Sequence, residues 1–170
     1  MRYRSTKYFD NFPCAHRLHS HSGHCRFIHG YSRSFRFYFE ASALGEHNLV
    51  VDFSALKELR AWLAHMYDHT MLINEDDPER ETFEDLHRRG ICDLRVVASV
   101  TMEGTARQVF EHADRMIREL TQGRCWVARV EVHENDKNSA ELELEPADYG
   151  ESRALHRERI GDAPPETEES

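Results

Sequence analysis

Between residues 34 and 40 the chain alternates with a period of two. Phe35, Phe37 and Phe39 point one way, and Ser34, Arg36, Tyr38 and Glu40 point the other. This is the pattern of a half-buried strand. The stretch up to about Phe9 alternates aromatic and polar residues in the same way and predicts another. Gly45-Glu46-His47-Asn48 reads as a turn, after which Leu49-Val50-Val51 returns as a strand. Leu56, Leu59, Leu63 and Met66 then recur at helical spacing, with Asp52 or Ser54 as cap and an end near Tyr67-Asp68-His69. Asp77-Pro78 opens a short helix through His87, stopped by Gly90, and Leu94-Arg95-Val96-Val97 is a short strand. Ala106, Val109, Phe110, Ala113, Met116, Ile117 and Leu120 form the stripe of a long helix from about Glu103 to Leu120, ended by Gln122-Gly123. In the strand that follows, Trp126, Ala128, Val130 and Val132 share a face. The turn Asn135-Asp136-Lys137-Asn138 leads to a partner in which Ala140, Leu142 and Leu144 alternate with glutamates.

This order predicts an α+β fold with a largely antiparallel sheet and helices on one face. At 170 residues the chain is one domain, residues 1–150, followed by a charged, patternless tail, 151–170, best left disordered. With 39% apolar and 31% charged residues, one core is feasible, and subunit association is a way to bury more. A net charge of -9 argues against a general nucleic-acid binder but not against a local basic pocket for a phosphorylated small molecule. Residues 1–7 lack an apolar h-region, and no run approaches the ~18 apolar residues of a membrane span. Cys14, Cys25, Cys92 and Cys125 are scattered without a repeated spacing. A reducing, cytoplasmic compartment is therefore expected.

Candidate chemistry concentrates between residues 16 and 29, where five of fourteen residues are histidines: His16, His19, His21, His24 and His29. The segment is too polar and turn-rich for a regular element and reads as a loop. Neutral imidazole is a common zinc ligand, and two imidazoles with a third ligand would leave a position open for substrate. A His-rich surface loop is the competing reading. Cys25, between His24 and Arg26, sits in an electropositive setting that favours thiolate, so it is a general base or a nucleophile unless it is simply packed. Asp68-His69 at a helix end is either an acid–base pair or an ordinary polar terminus. Glu134 ends the apolar phase of its strand, so its carboxylate points to the core side. There it meets either an arginine or a ligand offering two parallel N–H donors.

Several segments, taken in order, resemble the 6-pyruvoyltetrahydropterin synthase and 6-carboxytetrahydropterin synthase family. They are Phe12-Pro13-Cys14-Ala15-His16-Arg17-Leu18, Cys25 with His29-Gly30-Tyr31, Val51-Asp52-Phe53-Ser54-Ala55-Leu56-Lys57, Asp68-His69-Thr70-Met71-Leu72, Thr101-Met102-Glu103 and Val130-Glu131-Val132-His133-Glu134. Together they span about residues 5 to 145. The resemblance implies a tunnelling fold: an antiparallel four-stranded sheet with two main helices on one face, assembled into a barrel of three or six copies with sites between subunits. It implies Zn2+, and 7,8-dihydroneopterin triphosphate as substrate. His16 and His29 become zinc ligands, and Cys25, Asp68 and His69 become the catalytic group. Glu134 holds the guanidine-like edge of the pterin, and Thr101 and Glu103 join it in substrate binding. Arg17, Arg26 or Arg33 would meet the phosphates. Tyr31 stands where the family has its third zinc ligand, so either the phenolate coordinates or a loop imidazole does, His24 ahead of His21. Residues 74–99 are longer than the family leads one to expect, and Val100 replaces its usual proline.

The short interval between Cys25 and His29 resembles the 6-carboxytetrahydropterin synthase branch. That branch releases triphosphate and acetaldehyde and feeds 7-deazaguanine and queuosine synthesis. Two other functions fit the same residues: a pyruvoyl-type or other reaction on the pterin side chain, and a non-catalytic metal-binding oligomer.

Overall fold

The computed structural model describes residues 1–145. The expected tail, 151–170, and the domain end at residue 150 lie outside the described residues. Two long strands, β1 (Tyr3–His16) and β2 (His29–Ala41), pair antiparallel from Tyr3↔Ala41 to His16↔His29. The His-rich segment is thus a loop only from residue 17 to 28, and its first and last histidines are strand residues. The sheet is completed by β3 (Thr70–Asn74), β4 (Asp93–Val97), β5 (Cys125–His133) and β6 (Ser139–Glu143), in the order β4-β3-β1-β2-β5-β6.

This corrects the expectation of an antiparallel four-stranded sheet. The sheet has six strands and is mixed, since β3 runs parallel to both β1 and β4. All five residues of β3 are buried. Leu72 joins the main core, whereas Met71 and Ile73 face a second cluster with Phe83. A strand buried on both faces shows no period of two, which is why none was legible there.

The helices are three, the two main ones, α1 (Lys57–Tyr67) and α3 (Met102–Thr121), and the short one between them, α2 (Arg80–Arg88). They do not share one face. Leu59, Leu63 and Tyr67 of α1 and Val109, Ala113 and Ile117 of α3 pack on Phe35, Phe37 and Phe39 of β2 in the main core. Helix α2 covers the other face through Phe83 and Leu86. Asp52 caps the turn that leads into α1 by accepting from the Ser54 N–H at 2.8 Å, and Thr101 caps α3 through the Gly104 N–H at 3.0 Å. Leu49-Val50-Val51 is not a strand, because β2 already has β1 and β5 on its two sides; Val50 and Val51 are buried in the core from a loop. Among the described residues no helix is long and apolar enough to cross a membrane.

Two bulges set which side chains face the core. In β1, Asp10 and Asn11 both fall opposite Ser34, with Asn11 at φ 65°, a left-handed conformation that asparagine tolerates. The phase flips there, so Phe12, Cys14 and His16 are buried together. In β5, Ala128 is the extra residue between Val127↔Phe39 and Arg129↔Tyr38. The core face therefore runs Cys125, Val127, Val130, Val132, while Trp126 and Ala128 stand outside the core cluster. The single face expected for Trp126, Ala128, Val130 and Val132 does not survive that bulge.

Candidate metal centre

The register His16↔His29 places the two imidazoles at the end of the central ladder. On β2, residue 29 shares its parity with Tyr31, Arg33 and Phe35, and the β1 bulge turns His16 to the same side. The rings stand 4.3 Å apart between centroids. Gly30 lets the strands close here, since a Cβ on it would lie 2.5 Å from the Cys14 carbonyl oxygen. From the next strand, β5, the phase restored after Ala128 carries through Val130 and Val132 to Glu134. One ligand atom each from His16, His29 and Glu134 lies within 4.8 Å of the others, a group that could hold a metal ion.

The polar contacts define which atoms are offered. His29 Nδ1 lies 2.7 Å from the Phe27 carbonyl oxygen, so that nitrogen donates and Nε2 is the atom left to face a ligand. His16 Nε2 faces Glu134 Oε1 at 3.9 Å, and its Nδ1 faces an Arg33 amino group at 3.3 Å. Burial, the Arg33 guanidinium and His29 together push the His16 pKa down to about 3, so the ring is neutral near pH 7, as a ligand must be. Glu134 Oε2 accepts from the side-chain amides of Asn135 at 3.4 Å and Asn138 at 3.3 Å, which leaves Oε1 toward His16. Two imidazoles and one carboxylate form a donor set that suits Zn2+ and leaves further positions open.

The remaining expected residues lie around this cluster rather than in it. His24 and Cys25 are exposed in a short turn, His24–Arg26. Tyr31 is 41% exposed, with its ring 6.1 Å from that of His29. Asp68 accepts from His69 Nδ1 at 2.6 Å, and the pair is exposed past the end of α1. His69 sits at φ 59° with its N–H donating to the Pro13 carbonyl, and it borders a cavity of about 700 Å³ that Ile28, Met71 and Phe83 help to line. The Thr101 hydroxyl is engaged as a cap, and Glu103 is exposed in the first turn of α3.

Two arginines expected to face phosphate are already committed. Arg17 grips the buried Asp77 carboxylate with two bonds, 2.8 and 2.6 Å, tying the His-rich loop to the segment before α2. Arg33 is 1% exposed and donates to Thr105 Oγ1 at 2.9 Å. Arg26 alone of the three lies on the exposed turn. Sequence reasoning missed Arg33 as a neighbour of the cluster, although its parity with Phe35, Phe37 and Phe39 placed a cation on the apolar face.

A ladder that ends in paired imidazoles and is closed by a carboxylate from the adjoining strand defines a candidate mononuclear metal centre on a mixed sheet. The description of the 6-pyruvoyl tetrahydropterin synthase family matches residues 6–145, and the chain belongs to that family. It is 29% identical over 69 residues to the 6-carboxy-5,6,7,8-tetrahydropterin synthase of Rickettsia conorii, covering 40% of this chain and 50% of that protein. A protein of the same name from Rickettsia typhi is 29% identical over 70 residues, 41% of this chain and 51% of the relative. The chain thus spans about half the length of the curated relatives it matches. Among solved structures, an uncharacterised protein from Wolinella succinogenes superposes with a TM-score of 0.73 at 24% identity, covering 85% of this chain and 99% of that one. The 6-pyruvoyltetrahydropterin synthase of Plasmodium vivax gives 0.60 at 17% identity, over 84% and 99% of the two chains. At these identities the likeness shows the fold.

Proposed function

We propose that the chain is a zinc-dependent lyase that converts 7,8-dihydroneopterin triphosphate to 6-carboxy-5,6,7,8-tetrahydropterin, with loss of triphosphate and acetaldehyde, in 7-deazaguanine and queuosine synthesis. The observation that carries this reading is the convergence of His16, His29 and Glu134. The names of the rickettsial relatives support the carboxy product over the pyruvoyl one. In this reading Glu134 closes the metal site as third donor, in place of Tyr31 or His24. When bound, the ion supplies Lewis-acid stabilisation of negative charge developing on the side-chain oxygens of the substrate. Cys25 moves a proton at the substrate side chain. His69 is the second proton carrier, its Nδ1 anchored on Asp68 so that Nε2 is the exchanging atom. Thr101 and Glu103, at the N-terminus of α3, take the pterin-binding role.

Cys25 and the Asp68–His69 pair are exposed and stand outside the triad, which supports a trimer or hexamer whose sites are completed between copies. The partly exposed Phe27, Ile28, Tyr31 and Ile91 supply apolar surface for that contact. Incubation with 7,8-dihydroneopterin triphosphate tests the reading. The expected products are acetaldehyde and the 6-carboxy pterin. A pyruvoyl pterin, or glycolaldehyde from dihydroneopterin, would replace it with another side-chain reaction; no turnover of either pterin even with zinc supplied would leave a non-catalytic oligomer.

A further inference from the structure

We propose that Arg33 lowers the affinity of the His16–His29–Glu134 site for divalent metal, by directing a hydrogen-bond donor and a positive charge at the ring nitrogen behind the ligating one. The inference rests on the metal-site reading above. A histidine that ligates through Nε2 ordinarily carries its hydrogen on Nδ1 and donates it to an acceptor, which fixes the ring and raises its basicity. His29 has that arrangement, with Nδ1 against the Phe27 carbonyl oxygen. His16 has the reverse. Its Nδ1 faces the Arg33 guanidinium at 3.3 Å, and a guanidinium has donors only. The contact is favourable when Nδ1 presents its lone pair, so the single ring hydrogen of neutral His16 sits on Nε2, the atom turned toward Glu134 at 3.9 Å.

A cation arriving at Nε2 must displace that hydrogen. If the hydrogen moves to Nδ1, two N–H groups confront each other. Arg33 cannot easily withdraw to relieve this. It is 1% exposed, holds Thr105 Oγ1 at 2.9 Å and the Val100 carbonyl at 3.4 Å, and lies 5.8 Å from the Tyr67 ring centre. It forms no ion pair among the described residues, so its charge bears on the site without a carboxylate of its own to offset it. Both effects oppose the metal.

The test is zinc affinity, measured by competition with a chromophoric chelator on the intact chain. Arg33→Gln removes the charge and replaces a donor-only group with a shorter amide whose oxygen can accept from Nδ1–H through a bridging water. It is expected to tighten zinc binding by roughly 10–100-fold, the range that ligand-orienting partners command. Arg33→Met removes donor and charge without adding an acceptor, and it covers the case in which the glutamine variant fails to fold. It is expected to tighten binding by a smaller factor. Equal or weaker binding by the folded variants would overturn the proposal while leaving the metal site standing. If wild type, His16→Ala and both Arg33 variants all lack stoichiometric zinc, the metal-site reading itself falls, and this inference with it.

Discussion

Single side chains carry most of this account, and Asp77 offers the cleanest test at that scale. Burial raises its carboxyl pKa, but the two Arg17 bonds, the Glu79 N–H and nearby positive charge outweigh it and hold the group below its ordinary value. The folded state therefore binds fewer protons than the unfolded chain as acid is added. The stabilisation is complete above the unfolded carboxyl range and is lost as pH falls through the folded value. Asp77→Asn should cost about 2 kcal/mol at pH 7, the scale of hydrogen bonds to a charged group. In urea titrations the gap to wild type should close below about pH 4; a constant gap into acid would refute this assignment. The site residues were partly legible. The density of histidine pointed to His16 and His29, and strand parity put Glu134 on their side of the sheet, where a pterin anchor rather than a metal donor was expected; the Ala128 bulge lies upstream of the residues that fix its phase. His24 was drawn in as a loop imidazole and lies on an exposed turn outside the group, whereas Tyr31 was named for its place in the family pattern and stands on an exposed strand end, its ring 6.1 Å from that of His29. Arg17 was read without its partner, since sixty residues separate it from Asp77.

At the scale of elements, alternation and helical spacing located β2, α1, α3 and β6, because each has one dry face and one wet face. They failed where that condition fails. Strand β3 is dry on both faces, and the two bulges shift parity by one residue, the first marked only by Asp10-Asn11 and the second by no turn-forming residue. The α3 stripe was nearly right: Val109, Ala113 and Ile117 are fully buried, but Leu120 at its end is 52% exposed. That contrast predicts a graded response. Phe37 is fully buried and meets Phe9 edge-on at 5.9 Å, so Phe37→Ala should lose about 3–5 kcal/mol in chemical denaturation. Leu120→Ala should stay within about 0.5 kcal/mol. Similar costs for both would mean the core boundary is misplaced.

For the whole molecule, the mixed sheet acts as a frame that brings three strands to one point. β1 and β2 supply an imidazole each through their register, and the carboxylate follows the end of β5, on the other side of β2. The insertion of α2 and β4 closes the opposite face and anchors the His-rich loop through Arg17 and Asp77, so the turn carrying Cys25 is tethered at its base. The central claim is that His16, His29 and Glu134 hold one divalent ion. Its most direct measurement is zinc content per chain by elemental analysis, after equilibration with limiting zinc, for wild type and for variants at each proposed and discarded ligand. One ion per chain is expected in wild type, Tyr31→Phe and His24→Ala, and well under one in His16→Ala, His29→Ala and Glu134→Ala. Full zinc in Glu134→Ala, with loss in Tyr31→Phe or His24→Ala, would contradict it.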